Sequence, residues 1–382
     1  MKNVGISTVF TGYNYGSSLQ AYATKHILNS LGYTGELFKL SGSLVKGRDI
    51  RLKKLYFLAI NAFLNYKYAK KSISAYSQSI SANYSDETKK LFENFINNYL
   101  NPTVVSWKEL KRKAFSDEYV AFISGSDQIW NADTLFVDPF YYLKYAPEYK
   151  RIAYAPSFGR TEIPEYNKKR ITNYISKIPF LSVREESGAL IIKKLLNRTA
   201  DVLVDPTLAL NSLEWKEAFN LKEREGQRYL LAYFLNEPSK DTKTNIRKLA
   251  NNNGLRIIGI PYIFENDNFI DELYTAGPIE FLNLINNASI VCTDSFHGTA
   301  FSLNFGKPFF VFERNYGKAS AQSTRIISLL EKTETLHRYC INGEIINTEI
   351  DFNKVFTVLN EEREKSINYL LNSLKEVAIN AK

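Results

Sequence analysis

The sequence predicts an α/β protein with two Rossmann-like parallel-sheet domains in series, facing a central cleft, and three observations carry that expectation. Short β-rich runs alternate with helical stretches from the first residues onward, which is the grammar of βαβ units. Polar loops directly follow the apolar runs, as they do where buried parallel strands end at a site. The length of 382 residues, 45% of them hydrophobic, favours two domains over a single compact core.

The first domain is read over residues 1–212. "NVGISTVF" is its opening strand, "SLQAYATKHILNSLGY" a helix and "ELFKL" a second strand. A helical insertion near 44–115 interrupts the pattern. "YVAFIS", "RIAYAPSF", "FLSVR" and "DVLVDPT" then resume it as short buried strands. Polar, helical text from Asn211 to Arg228 sets the boundary near residue 212. "YLLAYFL", "LRIIGI", "ASIVCT" and "PFFVFE" supply the strands of a second domain over 213–350. Residues 351–382 are charged and helical in pattern with no strand left to serve, so they are expected to pack across the domains. Two such units in series place the carboxyl ends of their strands around the cleft, where the chemistry should sit.

Composition narrows the function classes. Only two cysteines, Cys292 and Cys340, are present, too few for a disulfide framework, and this usage fits a reducing, cytoplasmic setting. The opening "MKNVGISTVFTGYNYGSS" reads as a first strand rather than a signal peptide. The formal charge is +9, and between Leu44 and Ile73 eight Lys/Arg stand against one acid, Asp49. The centre of that segment, "LYFLAINAFL", is ten residues long, too short to span a bilayer. Its basic flanks suit peripheral contact with an anionic membrane, at the inner face for a cytoplasmic protein, and a buried helix with solvated ends is the alternative. No nucleic-acid motif accompanies the charge, so nucleic acid is not an expected partner. No cluster has metal-ligand spacing, and neither a metal nor a cofactor is expected.

Four post-strand loops are rich in residues that strands and helices do not require. In "TGYNYGSSLQ" (11–20), Gly12 and Gly16 permit a tight strand-to-helix turn, and Ser17 or Ser18 can cap a helix whose free N–H groups favour an anion. In "SGSDQIWN" (124–131), Asp127 precedes Gln128, Trp130 and Asn131, a density of hydrogen-bonding groups beside an aromatic face that suits a sugar, although Trp130 serves a core equally well. In "VREESG" (183–188), Arg184 offers a planar charged fork for carboxylate or phosphate, or else a salt bridge to Glu185 or Glu186. In "TDSFHGT" (293–299), His297 sits beside Gly298 at a helix start, where ring and backbone N–H groups can meet an anion together. His26 and His337 lie on ordinary helical or loop text.

The order and spacing of "NYGSSLQAYA", "SGSDQIWN", "RIAYAPSFG", "SVREESG", "VDPTLAL", "GPIEFLNLINNASIVCTDSFHGTAFSLNFGKPF" and "RIISLL" resemble the polysaccharide pyruvyl transferase family, from about residue 3 to about residue 335. The resemblance implies a glycosyltransferase-B-like fold. It also implies transfer of a pyruvyl group from phosphoenolpyruvate to a sugar of a cell-surface glycan or its precursor, forming a ketal; a lipid-linked acceptor is one option. Arg184 and His297 match positions that line the donor site in such proteins, and Asp127 matches more loosely by its place in the loop. Asn14, Tyr15, Gly16, Ser17, Gln128, Ser295 and Gly298 complete the candidate substrate-binding set. One departure matters: some members carry a basic residue two places before the histidine, where this chain has Ser295. Lys307, Arg314 or Lys318 would then supply the missing cation.

The chemistry agrees with those residue types. Phosphoenolpyruvate is a small polyanion that calls for arginine and helix N-termini more than for a metal. Ketal formation needs a proton for the methylene carbon and an acceptor for hydroxyl protons. His297 can protonate the donor or bind its phosphate, and Asp127 can take a hydroxyl proton. Two rivals stand beside this reading. One is a nucleotide-sugar-dependent glycosyltransferase with Glu313 on ribose hydroxyls; the other is a non-catalytic glycan-binding relative.

Overall fold

The computed structural model describes residues 2–41, 84–132, 137–223, 228–260, 268–314, 323–346 and 349–380. The basic segment 44–73 and Lys318 lie outside the described residues. Among the described residues thirteen strands pair in parallel. β1 (Asn3–Ser7), β2 (Thr34–Leu40), β3 (Thr103–Val105), β4 (Tyr119–Ser124) and β5 (Arg151–Ala153) form a sheet in the order β3-β2-β1-β4-β5. β6 (Ser182–Val183) and β7 (Asp201–Val202) pair beside it, joined through a bridge from Ile152 to Phe180. β8 (Tyr229–Tyr233), β9 (Arg256–Gly259), β10 (Glu272–Leu273), β11 (Ile290–Thr293), β12 (Phe309–Phe312) and β13 (Tyr339–Cys340) form the second sheet, in the order β10-β9-β8-β11-β12-β13.

The apolar runs become strands because both of their faces are covered. Every residue of β4 and of β8 is buried, as expected of parallel strands sandwiched by helices. Within 44–115 the text is less uniformly helical than its composition predicts. A helix over Asp86–Phe95 runs into a π-helical turn ended by Asn101 at φ 42, but Thr103–Val105 then joins the sheet against β2. Three residues are too few to show a period, and pairing partners decide their conformation.

Three helices frame the space between the sheets: α1 (Tyr15–Ser30), α2 (Phe296–Asn304) and α3 (Phe352–Asn380). Gly12 at φ +89 and Tyr13 at φ 55 turn the chain sharply into α1, whose first turn is capped by Asn14 accepting from the Ser17 amide at 3.0 Å. α3 reaches residues from both sides of Asn211. Its Tyr369 hydroxyl donates to Ala153 O at 2.8 Å and Lys365 Nζ to Val202 O at 2.8 Å, while Arg363 donates to Leu208 O at 2.9 Å and to Asn304 Oδ1 at 3.0 Å. Among the described residues no helix is long and apolar enough to cross a membrane. Cys292 and Cys340 are both buried free thiols.

Candidate active site

Five segments that follow strands bring four sets of charged or titratable side chains and one serine hydroxyl to one buried place. Asp127 comes from the loop after β4, Arg184 and Glu185 from the end of β6, Asp205 from the loop after β7, Ser17 from α1 and His297 from the start of α2. Arg184, 6% exposed, is the hub. Its Nη1 is bonded to Asp205, its Nη2 lies 3.8 Å from Asp127 and its Nε lies 3.9 Å from Glu185. Of the two salt-bridge partners read from the sequence, Glu185 is near, but the tight contact is to Asp205.

Asp205 is wholly buried and fully engaged. It accepts from Ser126 Oγ at 2.8 Å, from the Thr207 amide at 3.0 Å and from Thr207 Oγ1 at 2.8 Å, and its Oδ2 lies 3.8 Å from His297 Nε2. Burial alone would raise its pKa. Arg184 first, then His297 and the Thr207 amide, reverse this and hold it far below the usual carboxylate range. Asp127 follows the same logic: burial opposes ionisation, and Arg184, His297 and Ser17 outweigh it, so its pKa is lowered. Its Oδ2 accepts from Ser17 Oγ at 2.5 Å and its Oδ1 from the Gln128 amide at 2.8 Å. Asp127 has φ 67 and ψ −174, a region almost reserved for glycine that costs on the order of 1–3 kcal/mol and is held only where surroundings dictate it.

The second sheet contributes His297 through the β11–α2 turn. Ser295 caps α2, its hydroxyl oxygen accepting from the Gly298 amide at 3.3 Å. A Cβ on Gly298 would lie 2.5 Å from Thr293 Oγ1, so the residue is small enough to let the turn close on β11. Gly16 instead makes room inside the cluster: a Cβ on it would run into the His297 ring at Nδ1. Asp294 braces the turn, accepting from the amides of Leu235 at 2.6 Å and Asn236 at 3.1 Å with Arg314 3.4 Å away.

Tyr15 is a correction. It is 2% exposed, its ring stacks on Phe281 at 4.7 Å, and its hydroxyl donates to Ala276 O at 3.0 Å. It therefore packs α1 against the second sheet's helices instead of facing a ligand. Asn14 is likewise occupied as the cap of α1. Trp130 is fully buried on Tyr142 at 5.4 Å, which settles it as core. Glu313 is exposed just beyond β12. Of the proposed substitute cations, Arg314 is engaged by Asp294, donating to its carbonyl at 2.8 Å, and Lys307 follows the far end of α2, near Lys216 and Glu223.

The sequence reading missed Asp205 and Arg325 as members of this place and gave Glu185 only as an alternative salt-bridge partner of Arg184. Arg325, in the helix Ser323–Lys332, is 5% exposed, and its guanidinium lies 5.8 Å from the centre of the Phe296 ring, where Arg184 stands at 4.4 Å. Gln128, with its amide oxygen turned toward Arg325 as the network requires, accepts from Nη2 at 2.5 Å and Nη1 at 3.0 Å. Among the described residues several buried polar atoms of the cluster have no hydrogen-bond partner: Arg184 Nε and Nη2, Arg325 Nε, His297 Nε2 and Glu185 Oε2. Native interiors rarely leave such groups unsatisfied, and their concentration here marks a ligand site. A cavity of about 260 Å³, lined by Ser17, Asp127, Gln128, Asn131, Asp138 and Tyr141 among others, adjoins it. Among the described residues no group of His, Cys, Asp and Glu is placed to hold a metal ion.

Fold and site together define a two-sheet α/β protein with buried cations and carboxylates gathered where the strands of both sheets end. The chain belongs to the polysaccharide pyruvyl transferase family, whose model matches residues 14–316. No curated protein matches. Solved structures with a similar course of chain include MnaA of S. aureus with UDP, at 10% identity and TM-score 0.45, covering 97% of this chain and 90% of that one. UDP-GlcNAc 2-epimerase of Methanocaldococcus jannaschii gives 11%, 0.47, 94% and 92%. The E. coli heptosyltransferase WaaC with ADP gives 9%, 0.37, 96% and 99%.

Proposed function

We propose that the protein transfers a pyruvyl group from phosphoenolpyruvate to a sugar of a cell-surface glycan or its precursor. The observation that carries this reading is the set of buried nitrogens on Arg184, Arg325 and His297 that lack a hydrogen-bond partner among the described residues, a donor set suited to a small, highly charged anion. The adjoining polar and aromatic cavity is of a size for one sugar ring.

A proton adds to the methylene carbon of the donor, leaving positive charge on the carbon that bears the phosphate. A sugar hydroxyl attacks that carbon and loses its proton. The bond to the phosphate oxygen then breaks with its electron pair, and a second hydroxyl closes the ketal with loss of its own proton. His297 is the proton donor to the methylene carbon or a ligand of the phosphate. Asp127, on the wall of the cavity, accepts the proton of the attacking hydroxyl and passes it to solvent before the second hydroxyl closes the ring; its lowered pKa keeps it ionised, and Asp205 and Glu185 hold Arg184 in place. Arg184, fixed by those carboxylates, orients the donor.

The test is incubation of the purified protein with phosphoenolpyruvate and an extract of cell-envelope glycan precursors. The reading expects phosphate release together with a precursor heavier by one pyruvyl ketal in mass spectrometry. Sugar transfer from a nucleotide sugar, with no use of phosphoenolpyruvate, would replace it with the glycosyltransferase reading.

A further inference from the structure

The two buried arginines are held in opposite ways. Arg184 has three carboxylates about it, Asp205, Asp127 and Glu185. Arg325 is as deeply buried, yet its one hydrogen-bonding neighbour among the described residues is the neutral amide of Gln128, and its Nε has no partner. None of the described carboxylates forms an ion pair with it, and the residues just before its helix, "NYGKASAQ" (315–322), contain no acid. Burial, and then repulsion from Arg184, lower its pKa to about 9, with Glu185 and Asp127 offsetting only part of the shift, which leaves it protonated at neutral pH. A buried cation with a second cation beside it and no described carboxylate in ion-pair contact is stabilised when an anion joins them.

We infer that Arg325 is the residue that takes the donor's phosphate, supplying the positive charge that Ser295 does not. This deepens the phosphoenolpyruvate reading and rests on it. The charge of Arg184 is already offset by its carboxylates, so Arg184 fixes orientation while Arg325 adds attraction. Both guanidiniums lie within 6 Å or less of the Phe296 ring, at 4.4 and 5.8 Å, and Phe296 opens α2, whose first-turn N–H groups also favour an anion. When the carbon–oxygen bond breaks, the electron pair goes to the phosphate, and Arg325 is placed to hold the added charge in a two-pronged contact that lysine cannot reproduce.

Arg325→Gln and Arg325→Lys, with the parent, test this by two readouts. In thermal melts without ligand, Arg325→Gln is expected to be at least as stable as the parent, because an unpaired charge has been removed; a structural arginine would instead leave the variant less stable. With inorganic phosphate as the probe, the parent should gain stability, Arg325→Gln should gain none and Arg325→Lys an intermediate amount. In turnover with phosphoenolpyruvate, KM should rise at least ~10-fold in Arg325→Gln with a smaller fall in kcat. A parent insensitive to phosphate, a phosphate response retained in Arg325→Gln, or a parental KM in that variant overturns the inference. If the phosphate response disappears as expected while the parent does not consume phosphoenolpyruvate, the anion site stands and the donor assignment is the part that fails.

Discussion

His297 Nε2 lies 3.8 Å from Asp205 Oδ2, and the two residues belong to opposite sides of Asn211, one following β11 of the second sheet and the other following β7 beside the first. The same carboxylate oxygen is bonded to Arg184. A single buried anion thus faces the guanidinium of its own half and the imidazole of the other, which ties the geometry of the site to the packing of the two sheets.

Asp205→Asn should therefore damage the fold and the site together. Removing one member of a buried pair leaves Arg184 undercompensated, at a cost of about 3–5 kcal/mol. The pH dependence gives a sharper signature. The folded-state pKa of Asp205 lies far below its unfolded value of about 3.9, so its stabilisation is fully present above that unfolded value and is lost as pH falls toward the folded one. Melting curves should show a large gap between parent and variant at neutral pH that narrows once the medium is acidified below about 4. A gap that stays constant with pH would mean that the charge of Asp205 contributes nothing.

Gly16→Ala is expected to displace the His297 ring, because the added methyl has no space against Nδ1. Overpacking of this kind costs about 1–3 kcal/mol. The chain has three histidines, so proton NMR can follow each imidazole. The His297 resonances should move while those of His26 and His337 stay in place, and turnover should fall with them.

Tyr15→Phe separates packing from binding. The phenol donates to Ala276 O across the sheets, so losing it should cost about 0.5–1.5 kcal/mol of stability with KM for phosphoenolpyruvate unchanged. Tyr15→Ala should cost more, about 3–5 kcal/mol, as the ring leaves its stack on Phe281. A raised KM in Tyr15→Phe at parental stability would return Tyr15 to the site.

Much of the architecture was legible because buried parallel strands write themselves as apolar runs: β4 as "YVAFIS" and β8 within "YLLAYFL" are buried at every residue. β3, β10 and β13, of two or three residues each, carry no period and exist through their neighbours. Arg184, Asp127 and His297 stood out because charged groups directly after apolar runs have no local use. Asp205 had one, the capping of a helix beginning "PT", which hid its second role as the partner of Arg184 21 residues earlier. Arg325 stood only as the first letter of "RIISLL", with no role of its own, because no apolar run directly precedes it. Tyr15 misled in the other direction: a tyrosine in a glycine-rich turn looks available, and its partner Ala276 is 261 residues away.

The account stands or falls on what binds at the cluster around Arg184 and His297, and calorimetric titration measures that directly. Phosphoenolpyruvate should bind the parent, with affinity reduced at least ~10-fold in His297→Ala and in Arg184→Lys, whose lysine keeps the charge but not the fork. UDP-GlcNAc should give no binding heat. Binding of UDP-GlcNAc in place of phosphoenolpyruvate, or parental phosphoenolpyruvate affinity in both variants, would contradict it.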